Sequence, residues 1–148
     1  MKTARIARAA LALVGAVGVT ASMAACGGQV ASADVGTCVN SSDFEGDEVT
    51  DIPEVDCSEE HDAQIFHKFD MDDGDFPGND AIRSAAEEQC VPAFEEFVGT
   101  GYQESSLDIS YIGPSEDTWD QADDREVLCF LYTMDGSTST ESFEGSGL

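Results

Sequence analysis

Hydrophobic residues along the chain recur with two different periods. Residues 63–69 and Leu107–Ile112 alternate between apolar and polar side chains, and a period of two predicts half-buried β-strands. Between these segments, apolar side chains recur every three or four residues, as on one face of a helix. That face would carry Ile82, Ala86, Cys90, Phe94 and Phe97.

The ends of this helix are marked by residue types that favour helix boundaries. Asn79 or Asp80 is suited to cap the N-terminus, and Gly99 followed by Gly101 predicts the C-terminal end. Pro92 has no backbone N–H to donate, so we expect the helix to kink or restart there.

Three further segments complete the pattern. Residues 35–39 predict a short first strand, and the almost wholly apolar residues 126–134 predict the central, most buried strand. Trp119 follows a Gly-Pro stop in an acidic stretch, which predicts a loop. Residues 135–148 are rich in Ser, Thr and Gly and predict a flexible C-terminal tail, in which Phe143 is the candidate for docking.

Together these elements predict an α+β fold. We expect a small antiparallel sheet of three to four strands with one main helix packed on a face, and two disulfides. The chain has 148 residues, enough for one domain with an ordinary core, and we place that domain at residues 35–134.

The N-terminus has the organisation of an export signal. Residues 1–8 are basic, and residues 9–19 form an uncharged apolar run too short to span a bilayer, so residues 1–25 predict a signal peptide. Met23-Ala24-Ala25-Cys26 resembles the bacterial lipobox, which predicts lipidation of Cys26 and a tether over residues 26–34. The alternative is ordinary cleavage near Ser22 or Ala24, which would leave a spare thiol.

The cysteine count agrees with export. Setting Cys26 aside leaves an even number of four, as expected for disulfides in an oxidising compartment. Of the three possible pairings we favour Cys38–Cys57, on neighbouring strand candidates, and Cys90–Cys129, which joins the apolar helix face to the strand beneath it. A zinc site is disfavoured because no two cysteines have close C-x-x-C spacing.

Charge excludes two classes of partner. The chain has 31 acidic and 6 basic residues, and beyond residue 26 only three bases face all 31 acids, a net formal charge of −28. A polyanion of this density is repelled by phosphate, so we expect no nucleic-acid partner and no basic patch that grips anionic lipid.

Several motifs resemble those of the septum formation family, an actinobacterial envelope domain. Residues 57–63 (CSEEHDA) resemble its C-x-x-P-H-D-x-E motif, and residues 73–78 (DGDFPG) resemble its D-G-x-[FY]-P-G turn. Residues 111–115 (YIGPS) with Trp119, and residues 124–129 (DREVLC), are similar to its later motifs.

The likeness departs from the family pattern at two places, neither of them a cysteine. Glu60 stands where the family usually has Pro, and Ala122 and Asp123 replace an expected Gly. The resemblance implies a membrane-tethered module outside the cytoplasm.

Four residues are candidates for binding or chemistry. His61 beside Asp62 has the composition of a general base with an orienting carboxylate, or of a metal ligand, but a structural role is favoured because no nucleophile setting accompanies it. Trp119 is a candidate for stacking on a sugar or peptide. Arg125 is one of three bases after Cys26, so we expect it to have carboxylate partners.

Metal sites are not predicted. Residues 70–75 begin like a calcium-binding EF-hand loop but lack its glycine and its bidentate glutamate. We expect no catalytic residue, no metal and no cofactor.

These observations favour a non-enzymatic, lipid-anchored module on the outer face of the plasma membrane. It would bind an unknown envelope protein or cell-wall component, with a possible association with septum formation. The alternative is a metal-dependent or hydrolytic envelope enzyme centred on His61 and Asp62. A third possibility, a mere charged spacer, predicts that changes at Trp119 have no effect on phenotype.

Overall fold

The structure is a computed structural model that describes residues 30–45 and 49–148. The predicted signal peptide, the lipidation site Cys26 and the first residues of the tether, up to residue 29, lie outside the described residues. Within the described ranges, no helix is both long enough and apolar enough to cross a bilayer.

Four antiparallel strands and two α-helices form an α+β fold, as predicted. The strands lie in the order β1-β2-β4-β3, so the last strand in sequence is inserted between β2 and β3. The elements are β1 (Cys38–Val39), β2 (Ala63–Asp70), α1 (Asn79–Val98), β3 (Leu107–Ile112), α2 (Glu116–Ala122) and β4 (Glu126–Thr133), with short 3-10 turns at Ser41–Phe44 and Tyr102–Glu104.

The predicted helix face packs on one face of the sheet. The side chains of α1 that are buried follow a spacing of four residues and cover β2 and β4, which confirms the periodicity argument. Phe97 is only partly buried, and Val98 takes the last fully buried position. The buried positions are Ile82, Ala86, Cys90, Phe94 and Val98.

The start of α1 differs from the prediction. Its N-cap is Gly78, with φ of 90° and no side-chain cap, so Asn79 and Asp80 both lie inside the helix. The Pro77-Gly78 turn brings the chain in at a positive φ that glycine adopts without strain, and this moves the boundary one residue earlier. Gly99 ends the helix in the left-handed conformation, as expected.

Pro92 lies inside one continuous helix, so the predicted restart is wrong. Pro92 and Glu88 are both on the exposed side of α1. The carbonyl of Glu88, which would accept from residue 92, therefore faces water, and the proline does not break the packed side.

The opposite face of the sheet is covered by irregular chain. Ala33 and Ile52 from these segments pack with Val39 of β1 against Leu128 and Phe130 of β4. The first strand is shorter than predicted, because residues 35 and 36 form a turn and only Cys38–Val39 pairs with β2.

Both predicted disulfides are present. Cys38–Cys57 joins β1 to the turn before β2, and Cys90–Cys129 joins α1 to β4. Since Cys129 pairs with His67 in β2 and with Tyr111 in β3, the second bond ties the helix to the centre of the sheet.

Trp119 lies on helix α2 and not in a loop, which corrects the prediction. Ser115 and Thr118 form a reciprocal capping box at the start of this helix. The capping box was hard to recognise in the sequence because Thr118 stands where such a box usually has Glu or Gln.

The segment after β4 packs against the domain, although its composition predicted a loose tail. Phe143 is 2% exposed, and Ser139 exchanges backbone hydrogen bonds with His61. Gly145 and Gly147 donate their N–H groups to carbonyls at the end of α1. The packed part of the chain therefore continues past our expected boundary at residue 134.

Candidate functional site

The residues singled out in the sequence lie at the two ends of β2. His61 and Asp62 immediately precede this strand, whereas Arg125 immediately precedes β4 at the point where Glu126 pairs with Asp70, the last residue of β2. An eight-residue strand separates the two groups by about 25 Å. They form two sites and not one.

At one end of the sheet, Trp119 is the centre of a cluster that we call the Trp119 corner: Asp73, Gly74, Phe76, Trp119, Asp123 and Arg125. The Trp119 ring is 3% exposed, and its Nε1–H donates to the carbonyl of Gly74 at 2.9 Å. Phe76 meets it edge-on with ring centroids 5.7 Å apart. The indole therefore fixes the 73–78 turn against α2.

Arg125 covers the other face of the indole. Its guanidinium carbon lies 3.8 Å from the centre of the Trp119 ring, and Nη1 donates to the carbonyls of Trp119 and Asp124. The predicted carboxylate partners are present: Asp123 lies 2.9 Å from Nη2, and Asp73 lies 3.7 Å from Nε. A cation over an aromatic face and between two acids is held firmly, so Arg125 links both acidic turns.

Asp123 occupies a position that favours glycine. It ends α2 with φ of 55°, in the left-handed region, and its carboxylate pairs with Arg125. This is where the resembled motif has Gly, and an aspartate is among the side chains that tolerate this conformation. The substitution noted in the sequence is thus accommodated locally.

An open acidic depression of about 680 Å³ adjoins the corner. Its carboxylates do not converge: among the described residues, no three His, Cys, Asp or Glu side chains are placed to hold one metal ion. The acids that line it are Asp70, Asp72, Asp73, Asp123, Asp124 and Glu126.

At the other end of the sheet, His61 is entirely buried. Its Nδ1 lies 2.9 Å from the carbonyl of Glu59, which makes Nδ1 the protonated nitrogen, and its ring meets Phe143 edge-on at 5.4 Å. Nε2 has no hydrogen-bond partner among the described residues. A ring without solvent contact is placed to hold a turn and the C-terminal segment together.

Asp62 does not orient His61. One carboxylate oxygen accepts from the backbone N–H of Ser41 at 2.7 Å, and the other accepts from the Ser41 hydroxyl at 2.6 Å. The carboxylate thereby fixes the 3-10 turn that follows β1. The sequence suggested that His61 is a general base oriented by Asp62, but the two side chains do not form that arrangement.

Gln64 is a structural residue that sequence reasoning missed. It is 1% exposed, and its Nε2 donates to the carbonyl of Gly36 and to the hydroxyl of Ser142. Its Oε1 accepts from the backbone N–H of Phe143 at 2.8 Å. Its burial could have been predicted from the alternation in β2, which places Gln64 on the same side as Phe66.

A second missed group is Asp108 with two tyrosines. Its carboxylate accepts from the Tyr102 hydroxyl at 2.5 Å and from the Tyr132 hydroxyl at 3.0 Å. The hydrogen bond from Tyr102 holds the pKa of the Asp108 carboxyl below its usual value. That same bond, helped by burial, raises the pKa of Tyr102 to about 12, while burial and then Asp108 raise the pKa of Tyr132.

Comparison with known proteins gives one family. A family model described as septum formation matches residues 35–147 of the chain, a range that includes the packed C-terminal segment.

Two relatives are uncharacterised membrane proteins of Mycobacterium tuberculosis, one from strain CDC 1551 and one from strain H37Rv. Each is 30% identical to this chain over 103 residues, a match that covers 62% of the chain and 22% of the relative. The chain thus spans about a fifth of the length of these curated relatives. No solved structure matches it.

Proposed function

The chain belongs to the septum formation family, and on that premise we propose that it is a non-enzymatic, lipid-anchored module that binds an envelope protein or cell-wall component. Its place would be the outer face of the plasma membrane, near the septum. The lipobox-like sequence ending in Cys26 and the two disulfides support that location. The relatives described as membrane proteins agree with it.

One observation carries the proposal: the candidate residues His61, Asp62 and Arg125, which lie in the family-like motifs, make internal contacts. His61 is sealed between Glu59 and Phe143, Asp62 holds Ser41, and Arg125 lies on Trp119. A catalytic group has to touch its substrate, whereas a binding module needs a rigid frame that presents other surfaces. This arrangement supports a frame.

A His61 substitution separates the proposal from the enzyme alternative. We expect His61→Gln to lower the melting temperature, because glutamine cannot both reproduce the Nδ1 bond and fill the ring's volume against Phe143. Any effect on cell phenotype should then follow the amount of folded protein. A variant that keeps its melting temperature and level, yet loses function, would overturn the proposal in favour of chemistry at His61.

The lipid anchor is tested at Cys26. We expect the protein extracted from cells to have the intact mass of an acylated Cys26 chain and to enter the detergent phase, whereas Cys26→Ser should remain in the aqueous phase. Gln29→Ala, in the same tether, is the matched control and should behave like the unmodified sequence. An unacylated mass for the mature protein would refute the anchor.

A further inference from the structure

The free edge of the sheet is β3, and its outward backbone groups can be identified. Thr133 donates its N–H to Asp62 beside β2, so alternate residues of β4 face β2 and the others face β3. The residues of β4 that face β3 pair with Asp108, Ser110 and Ile112. The backbone groups of Leu107, Ile109 and Tyr111 therefore point away from the sheet.

Side chains occupy only the first part of this edge. The Ser105 hydroxyl accepts from the N–H of Leu107 at 3.1 Å, and the Asp108 carboxylate accepts from the N–H of Ile109 at 2.8 Å. Among the described residues, the N–H of Tyr111 and the carbonyls of Ile109 and Tyr111 have no hydrogen-bond partner. The second half of β3 is open to pairing with another strand.

An apolar groove of about 290 Å³ runs beside this open half, between β3 and α1. Its floor includes Cys90 and Ile109, and Val91 on its helix side is 40% exposed, which makes it one of the few large apolar side chains on the surface. Ala86, Tyr102 and Tyr111 complete its apolar lining, and Arg83, Glu87 and Ser110 also line it. A strand added to β3 would direct every second side chain into this groove, because side chains alternate between the two faces of a sheet.

On the face away from α1, the charged groups nearest an added strand are carboxylates. A hollow of about 340 Å³ on that face is lined mainly by apolar and neutral side chains, and among the described residues Asp124 and Glu126 are its only charged lining residues. Asp108 points to the same face, since it alternates with the groove-facing Ile109. The described residues contain three Lys or Arg side chains, and each lies within 4.0 Å of a carboxylate.

We infer that the β3 edge and its groove bind an extended segment of a partner protein in which apolar residues alternate with Lys or Arg. The segment adds to the sheet at Ile109 and Tyr111, places its apolar side chains in the groove, and directs its basic side chains toward the carboxylates of Asp108, Asp124 and Glu126. This inference rests on the proposed binding function and names the chemistry of the partner.

The test uses the full chain and synthetic peptides about seven residues long, an ordinary strand length. One peptide alternates Lys with Val, and a second has the same composition in two blocks. At about 0.15 M ionic strength, where long-range attraction is screened, we expect the alternating peptide to bind at least about tenfold more tightly. Its binding should also slow hydrogen exchange at the Tyr111 amide.

Two matched variants locate the site. Val91→Glu puts a charge into the groove on a helical position where glutamate is well tolerated, and it should weaken binding of the alternating peptide at least about tenfold. Met134→Glu adds the same charge at an exposed apolar residue outside the groove and should change binding less than about twofold.

Three results would overturn the inference: equal binding of both peptides, equal effects of the two variants, or no binding of the alternating peptide. The first would show general attraction between opposite charges. Each result would refute only peptide binding at the β3 edge and its groove. The proposed function is tested separately, by the His61→Gln phenotype and by acylation of Cys26.

Discussion

At one edge of the sheet β1 is covered and covalently fixed, whereas at the other edge most outward backbone groups of β3 have no hydrogen-bond partner among the described residues. Cys38 in β1 pairs with Val55 as well as with β2, and its sulfur is bonded to Cys57. On β3 the protection consists of one carboxylate and one hydroxyl, from Asp108 and Ser105.

The contrast shows two ways to manage an edge strand. A two-residue strand under a disulfide offers no template for another chain. A six-residue strand that is blocked at its beginning and open at its end restricts pairing to one short stretch. The fold therefore closes the β1 edge and leaves the β3 edge selectively open.

Removal of the Cys38–Cys57 disulfide should cause the largest loss at either edge. We expect Cys38→Ala with Cys57→Ala to lower the free energy of unfolding by about 3 kcal/mol, because the bond closes a loop with a sequence separation of 19. Urea unfolding of the oxidised protein measures the change. Ser58→Ala, in the same exposed turn, should cost less than about 0.5 kcal/mol. Equal costs for the two variants would show that the bond does not fix this edge.

Asp108→Ala should give the next largest effect. Tyr102, Tyr132 and the N–H of Ile109 all lose their acceptor, which we expect to cost about 2 kcal/mol of unfolding free energy. The newly exposed N–H should also increase self-association in sedimentation velocity. Asp108→Asn keeps one acceptor oxygen, so its unfolding free energy should lie between those of the unmodified protein and of Asp108→Ala. A cost for Asp108→Ala no greater than that for Asp108→Asn would contradict this account.

Ser105→Ala tests the second protecting group. Its hydroxyl accepts from Leu107 and donates to the carbonyl of Leu148, so we expect a loss of about 0.5 kcal/mol, small because the site is partly solvated. Ser106→Ala is the adjacent exposed control and should leave the urea midpoint unchanged. If both variants shift the midpoint equally, the hydrogen bond has no measurable role.

The smallest expected effect is a decline in stability at alkaline pH. The pKa of Tyr102 is raised from 10.0 to about 12, so its contribution is complete below about pH 10 and is lost as pH rises toward 12. Ultraviolet titration should show Tyr102 ionising near pH 12, beside Tyr132, whose pKa is also raised, and Tyr102→Phe should remove the phase near pH 12. A titration in which Tyr102→Phe leaves the late phase in place would assign it to another tyrosine.

Much of the fold follows from local periodicity. The apolar face of α1 predicted the helix, and the alternation in β2 and β3 predicted these strands, because both patterns mark side chains that must be buried. The even cysteine count predicted two disulfides, and the predicted elements that carry the cysteines favoured their pairing. The helix boundary at Gly78 and the short β1 were not predicted, since both depend on turn geometry with weak sequence signals.

The site was harder to predict than the fold. His61 and Asp62 are neighbours in sequence, which suggested that they act together. Successive side chains near a strand point to opposite sides, however, so Asp62 contacts Ser41 and His61 contacts Phe143, both distant in sequence. Gln64 and Asp108 were missed because their partners, Phe143 and Tyr132, come from segments far along the chain. Tertiary contacts of this kind have no local pattern.

The strand order β1-β2-β4-β3 also has a consequence for the timing of folding. In a chain that crosses a membrane from its N-terminus, β2 emerges long before β4, its neighbour in the finished sheet. The Cys38–Cys57 bond can form early, whereas Cys90–Cys129 requires the final strand to have arrived. Until then the apolar side chains of β2 lack their neighbours from β4, so oxidation of the second pair would report the moment at which translocation has delivered β4.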